Sequence, residues 1–251
     1  MVVLVHGIVR AEDADLAGVR APDRLRPRAV RAAALAAVVS PAPDRELAAE
    51  DAAPHLDLLV AVVAAGLPVL PVSFGTVAPD DDAVRDEVLA PEADVLEQRL
   101  DAVAGLVELR LDLTFDVDAV VAAVRDADPG LRGMAESVRR PGAGFTEKLA
   151  LGEATARRVA EHQEALIEQW TVELEDLAEL SALLHSDEHL RRIAYLVRRD
   201  RLDDADGAVN RLQEGLEGWA RIEYVGPLPV YSFLDDLDVR PEPQPSSQWG
   251  W

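Results

Sequence analysis

Residues 107–115 read Val-Glu-Leu-Arg-Leu-Asp-Leu-Thr-Phe, a strict alternation of apolar and polar side chains. Successive side chains of a strand point to opposite faces. The pattern therefore puts Val107, Leu109, Leu111, Leu113 and Phe115 on one face and Glu108, Arg110, Asp112 and Thr114 on the other. A strand of this kind needs a layer packed on its apolar side, and the residues that follow supply helices.

Residues 145–184 predict one long amphipathic helix, with Val159, Gln163, Leu166, Ile167, Trp170, Leu174 and Leu177 on a single stripe and acids opposite. Residues 189–199 then suit a strand with Ile193, Tyr195 and Val197 on one face. A helix over 203–217 follows, with its stripe at Ala205, Ala208, Val209, Leu212 and Leu216, and a strand over 220–225 with Ala220, Ile222 and Tyr224 inward. Ahead of the long helix, 128–144 collects glycine and proline without a period, which predicts a long connection.

The first half reads as a smaller unit with strands near 2–9, 30–39 and 69–74. Leu56, Leu59, Val60 and Val63 form a helical face within 51–65, closed by Gly66. Acids from Asp80 onward suit the first turn of the next helix, which Pro91 should break. In "VLPVSFGTV" (69–77), Pro71 points to a sheet edge and Gly75 to a turn. The expectation is an α+β protein of two domains, 1–105 and 106–235. The second is a modified ferredoxin-like sandwich with a long amphipathic helix, and a proline-rich tail runs over 236–251 and ends in Trp249 and Trp251.

A formal net charge of −22 argues against nucleic acid as a partner, because a phosphate backbone rewards clustered lysine and arginine. No stretch approaches the length of uncharged apolar residues that a membrane span needs. The N-terminal run "MVVLVHGIV" has no positive region before it and reads as a first strand. There are no cysteines, so disulfides and thiolate metal sites are excluded. A cytoplasmic protein fits this composition.

Motifs for chemistry are sparse. "HSDEH" (185–189) puts two histidines four apart, but lacks the glutamate that directly follows the first histidine in zinc proteases. A solvated helix end is the expectation there. "GAGF" (142–145) matches neither dinucleotide nor P-loop spacing and reads as a helix entry. Ser73 in "VSFG" is not a nucleophile elbow. The residues nominate no catalytic, cofactor-binding or metal site, and no enzyme is expected.

Several blocks, in order, resemble the gas vesicle protein family GvpF/GvpL. They are "HGIV" (6–9), "AAVVSPAP" (36–43), His55 leading a helix into "VLPVSFGT", "GLVELRLDL" (105–113), "IAYLV" (193–197) and "GPLPVYSF" (226–233). His6 stands where that family usually has an aromatic residue. The resemblance implies a non-enzymatic accessory or minor structural protein of gas vesicle assembly. It further implies a cytoplasmic or vesicle location, with the hydrophobic shell protein GvpA and other accessory Gvp proteins as partners, no cofactor and no membrane. Such a factor would nucleate or chaperone the shell. A partner would dock on a sheet edge or on the long helix, with Trp170, Leu174, Tyr231 and Phe233 as candidate interface residues. The competing reading is a small-molecule-binding regulatory α+β module.

Overall fold

The computed structural model describes residues 1–22, 24–142, 144–187 and 189–236. The proline-rich tail, with Trp249 and Trp251, lies outside the described residues past Asp236. Two compact units make up the chain. One comprises Met1–Leu109, Leu196–Asp200 and residues 225–236; the other comprises Arg110–Tyr195 and Arg201–Tyr224.

The first sheet is built on β1 (Val3–Arg10), whose residues are buried from Val3 to Val9. The 30–39 segment, expected as one strand, is a hairpin of β2 (Arg28–Ala32) and β3 (Leu35–Pro41). Its two-residue turn sets Ala33 at φ 50. Alanine there gives none of the Asn-Gly signal that usually marks such a turn, so the sequence pattern reads straight through it. β3 pairs antiparallel with β1 from Val3↔Pro41 to Arg10↔Leu35, and the register slips between Val5 and Gly7. His6 is the extra residue of that bulge, a device that re-aims a side chain.

Helix α1 (Ala52–Ala64) buries Pro54, His55, Leu58, Leu59, Val62 and Val63. The expected stripe through Leu56 and Val60 is one residue out of phase, and Leu56 is exposed. This helix is apolar nearly all round, so its spacing alone fits two registers. β4 (Leu70–Pro71) and β5 (Val77–Ala78) both pair with β1, giving the order β2-β3-β1-β4 with β5 off the path. The strand expected over 69–74 is thus shorter, with Pro71 on an edge as its missing donor requires. Val72 N still donates to His6 O at 3.0 Å before a turn in which Gly75 has φ 94. Asp80 caps α2 (Asp81–Ala83) through Ala83 N, and the helix continues as a π-helical turn over Val84–Leu89. Pro91 separates it from α3 (Ala93–Val103).

The second sheet starts with β6 (Leu106–Phe115), whose five alternating apolar residues are buried as expected. Two helices, α4 (Val117–Ala127) and α5 (Pro129–Arg139), occupy the stretch up to 139, where a connection was expected over 128–144. The Asp128 carboxylate accepts from Gly130 N and Leu131 N, and Pro129 takes the first turn, where its missing N–H costs nothing. Next comes α6 (Phe145–Leu177), 33 residues long. It stops seven residues short of the expected end, because Ala178–Ser186 forms strand β7 beside β8 (Leu190–Arg198). Ala-Glu-Leu-Ser-Ala-Leu-Leu carries helix-forming residues and no breaker, and pairing with β8 overrides that propensity. α7 (Leu202–Gly215) and β9 (Ala220–Leu228) complete the chain, α7 burying the expected stripe. The order β7-β8-β6-β9 is that of a ferredoxin-like sheet, with three helices where one usually fills the first crossover. The fold is α+β. No helix among the described residues is long and apolar enough to cross a membrane.

Candidate functional site

In the first unit the bulge in β1 turns His6 toward α1, and a chain of buried polar groups forms. His6 Nδ1 meets His55 Nδ1 at 2.9 Å, and His6 Nε2 meets Ser40 Oγ on β3 at 2.8 Å. His55 Nε2 lies 2.8 Å from the Tyr231 hydroxyl, which is 3.1 Å from Val72 O. One hydrogen-bond polarity satisfies all of these groups. Val72 O can only accept, so Tyr231 donates to it and accepts from His55 Nε2–H. His55 Nδ1 then accepts from His6 Nδ1–H, and His6 Nε2 accepts from Ser40. Both imidazoles are neutral in this arrangement. Burial, with His55 next to it, lowers the His6 pKa to about 3, and burial also lowers that of His55. Phe74 places its ring edge-on to His55, with centroids 5.6 Å apart.

A second anchor holds the same C-terminal segment. Glu108, 4% exposed although it lies on the polar side of β6, accepts from Ser232 N and Ser232 Oγ, both at 2.8 Å. Gly226 allows the close approach, since a Cβ there would stand 2.5 Å from Leu109 Cδ2 and 3.3 Å from Glu108 O. Residues 226–233 are therefore tied to the unit through Tyr231 and Ser232, with Phe233 buried at 1% exposure.

The four candidate interface residues are divided between the units. In the first, Tyr231 has its hydroxyl committed to His55 and Val72, and Phe233 is closed off. In the second, Leu174 is 1% exposed. Trp170 is half-buried, with its ring over Gly215 of α7. A Cβ on Gly215 would lie 2.3 Å from the ring, so the indole fills the space that glycine leaves open. His6, Ser40, His55 and Glu108 were not singled out as partners by their sequence context. Their separations along the chain, 34, 49 and 124 residues, show no local period.

"HSDEH" is the β7–β8 turn and not a helix end. His185 Nε2 is 2.9 Å from Asp187 Oδ2, while Asp187 Oδ1 accepts from His189 N and Leu190 N at 2.8 Å each. The hydrogen bond from His185, followed by those two backbone bonds, holds the Asp187 pKa well below the usual carboxylate range. The carboxylate is thus spent on closing the turn. Among the described residues, no group of three or more histidines and carboxylates is placed to hold a metal ion. At "GAGF", Gly144 N donates to Glu147 Oε2 at 2.7 Å, which caps the entry to α6.

Residues 2–235 match the family model for gas vesicle synthesis protein GvpL/GvpF. Gas vesicle protein F of Streptomyces sp. (strain CB03234) is 35% identical over 246 residues, covering 94% of this chain and 100% of that protein. The crystal structure of gas vesicle protein GvpF from Anabaena sp. PCC7120 superposes with a TM-score of 0.80 at 18% identity. That of GvpF from Microcystis aeruginosa superposes at 0.76 and 17%. Each covers 93% of this chain and 98% of the other. At those identities the two structures establish the fold, while the family match and the Streptomyces relative establish kinship. The chain belongs to the GvpL/GvpF family of gas vesicle synthesis proteins, and its role lies in the formation of gas vesicles.

Proposed function

We propose that this protein is a non-catalytic assembly factor that binds the hydrophobic shell protein GvpA, working with other accessory Gvp proteins in the cytoplasm to chaperone or nucleate the shell. A shell protein that buries its apolar surface only on polymerising needs that surface covered beforehand, and a strand edge with apolar side chains can cover it.

The observation that carries this reading is β7. It is an edge strand nine residues long, and Leu180, Leu183 and Leu184 on it are 38%, 57% and 43% exposed. Alternation sends Leu180 and Leu184 to one face and Leu183 to the other, so neither face is fully covered. Natural proteins usually protect such an edge with charge, proline or a covering element. Docking along β7 leaves Trp170 in its seat on Gly215 and needs no exposure of Leu174.

The test is co-purification with the shell protein from vesicle-forming cells, using Leu183→Glu as the variant and far-UV circular dichroism as the folding control. The intact protein retains GvpA and the variant loses most of it. Equal retention by a folded Leu183→Glu variant would remove β7 as the docking edge. Normal vesicles in cells lacking the gene would refute the assembly role itself.

A further inference from the structure

The charge of this chain is not evenly spread. Against a net charge of −22, residues 20–31 carry five arginines and one aspartate. Arg28 is spent on Asp81, with guanidinium–carboxylate contacts of 2.7 and 2.5 Å. Arg31 donates to Ala11 O. Arg24 and Arg26 make no hydrogen bond or ion pair with another described residue. Arg26 is held at φ 49, a left-handed conformation that arginine seldom adopts.

Both side chains line a cleft of 390 Å³ in the first unit, above the end of the polar chain, with His6 in its lining. Its apolar walls include Leu25, Leu47, Pro54 and Phe74. Arg45 lines it too, but it is clasped by Asp51 at 2.7 and 2.8 Å, so its charge is already answered. His6 is neutral and its Nε2 is occupied by Ser40. Asp51 also lines the cleft and feels Arg24 at longer range, but three arginines face that one acid, so the positive charge left for a ligand resides on Arg24 and Arg26.

From this geometry we infer that the cleft is a docking site for an acidic, apolar-flanked segment of a protein partner, with carboxylates on Arg24 and Arg26 and neighbouring aliphatic or aromatic side chains against Leu25, Leu47 and Phe74. A planar guanidinium matches a carboxylate bidentately, and two of them can read two acids. The apolar walls give the flanking residues somewhere to be buried, which a free anion does not use. The volume suits a few side chains and excludes a whole helix. Charge makes the site selective. An acidic segment is repelled by most of this protein's surface and drawn to a stretch that is strongly basic and opens on an apolar cleft. This site is separate from β7 and does not depend on shell-protein binding.

Fluorescence anisotropy on the full chain tests it, with a dye-labelled octapeptide that carries two adjacent glutamates between leucines. The same peptide with glutamines in their place is the control. The glutamate peptide binds and the glutamine peptide does not. Binding weakens as sodium chloride rises from about 50 to about 500 mM, and the Arg24→Glu/Arg26→Glu variant binds at least tenfold more weakly. Both arginines are exposed, so an unchanged melting curve is expected for the variant. Leu25→Asp, which puts a carboxylate in the cleft itself, gives an independent loss. Equal binding of the two peptides, or full binding by the folded double variant, overturns the inference. Displacement of the peptide by millimolar inorganic phosphate overturns it in favour of a small-anion site. Because no shell protein is present, this outcome is distinguishable from the co-purification result.

Discussion

In the first unit each ring nitrogen of His6 and His55 has a partner, and the chain of bonds runs from Ser40 to Val72 O with one polarity. In the second unit the Tyr195 hydroxyl and His162 Nε2 are buried without a hydrogen bond. The second unit instead relies on shape: alternating apolar residues on β6, the stripe of α7, and Trp170 over Gly215. Directional bonds specify which segments meet, since the chain ties β1, β3, α1 and the C-terminal segment together. Close packing specifies how tightly segments meet. The two units should therefore fail under different substitutions, the first when a polar partner is lost and the second when volume is changed.

The largest expected effect is at His55. Replacing it with alanine strands His6 Nδ1–H and leaves the Tyr231 hydroxyl with one partner instead of two, in addition to removing the ring contact with Phe74. A buried group left unpaired costs about 1–3 kcal/mol, so a loss of about 3–4 kcal/mol is expected for His55→Ala. Urea denaturation gives the total, and hydrogen exchange locates it in β1, α1 and residues 226–233. A loss below about 1 kcal/mol would mean that directional bonding is not what holds this unit.

Next in size is Gly215→Ala. Its new methyl would meet ring atoms of Trp170, which cannot yield as a flexible side-chain tip would. Overpacking of this kind costs about 1–3 kcal/mol. If shape is the cause, the same substitution in a Trp170→Ala background costs close to nothing. A cost that persists there would locate the strain in α7 itself and weaken the contrast between units.

Which parts of this were legible in the sequence follows from how local the signals are. β6 announces itself because its period is carried by nine consecutive residues, and α7 because its stripe has only one phase. β2 and β3 merge in the sequence because Ala33 turns the chain without a turn residue, and β7 hides in a run of helix formers. α5 is obscured by its two glycines and the prolines at 129 and 141, although Asp128-Pro129 is an N-cap followed by a first-turn proline. His6, His55 and Tyr231 were visible as landmarks of the resemblance. Their meeting was not, because 49 and 176 residues separate the pairs and only the bulge at His6 aims the first ring at the second.

Acidity offers a smaller and more graded perturbation. The unfolded histidines titrate near 6.5, while His6 is lowered to about 3 and His55 is lowered as well. Below 6.5 the unfolded chain binds protons that the folded one refuses. The stability contribution is complete above 6.5 and is lost as pH falls toward the folded values. Between about pH 6 and pH 5 each histidine held neutral takes away about 1 kcal/mol. The lowered carboxylates, Asp81 paired to Arg28 and Asp112 paired to Arg192, lose their contributions only at lower pH. A His6→Phe/His55→Phe variant should flatten the stability curve in that window. An equally steep curve in the variant would assign the slope to other groups.

The smallest effect makes the sharpest comparison, because one chemical change is applied to both units. Tyr231→Phe removes the donor to Val72 O and the acceptor for His55 Nε2–H, and is expected to cost about 1–2 kcal/mol. Tyr195→Phe removes a hydroxyl that lies beside Glu175 and Thr171 with no well-formed hydrogen bond to either, and whose pKa is raised by burial first and by the nearby Glu175 second. Deleting a buried hydroxyl that has no partner removes a desolvation cost and almost no bonding. The expected change is within about 0.5 kcal/mol of zero, with any shift toward greater stability. Chemical denaturation of the two variants decides the matter. A Tyr195→Phe loss as large as that of Tyr231→Phe would show that the second unit also depends on a directional bond at its centre.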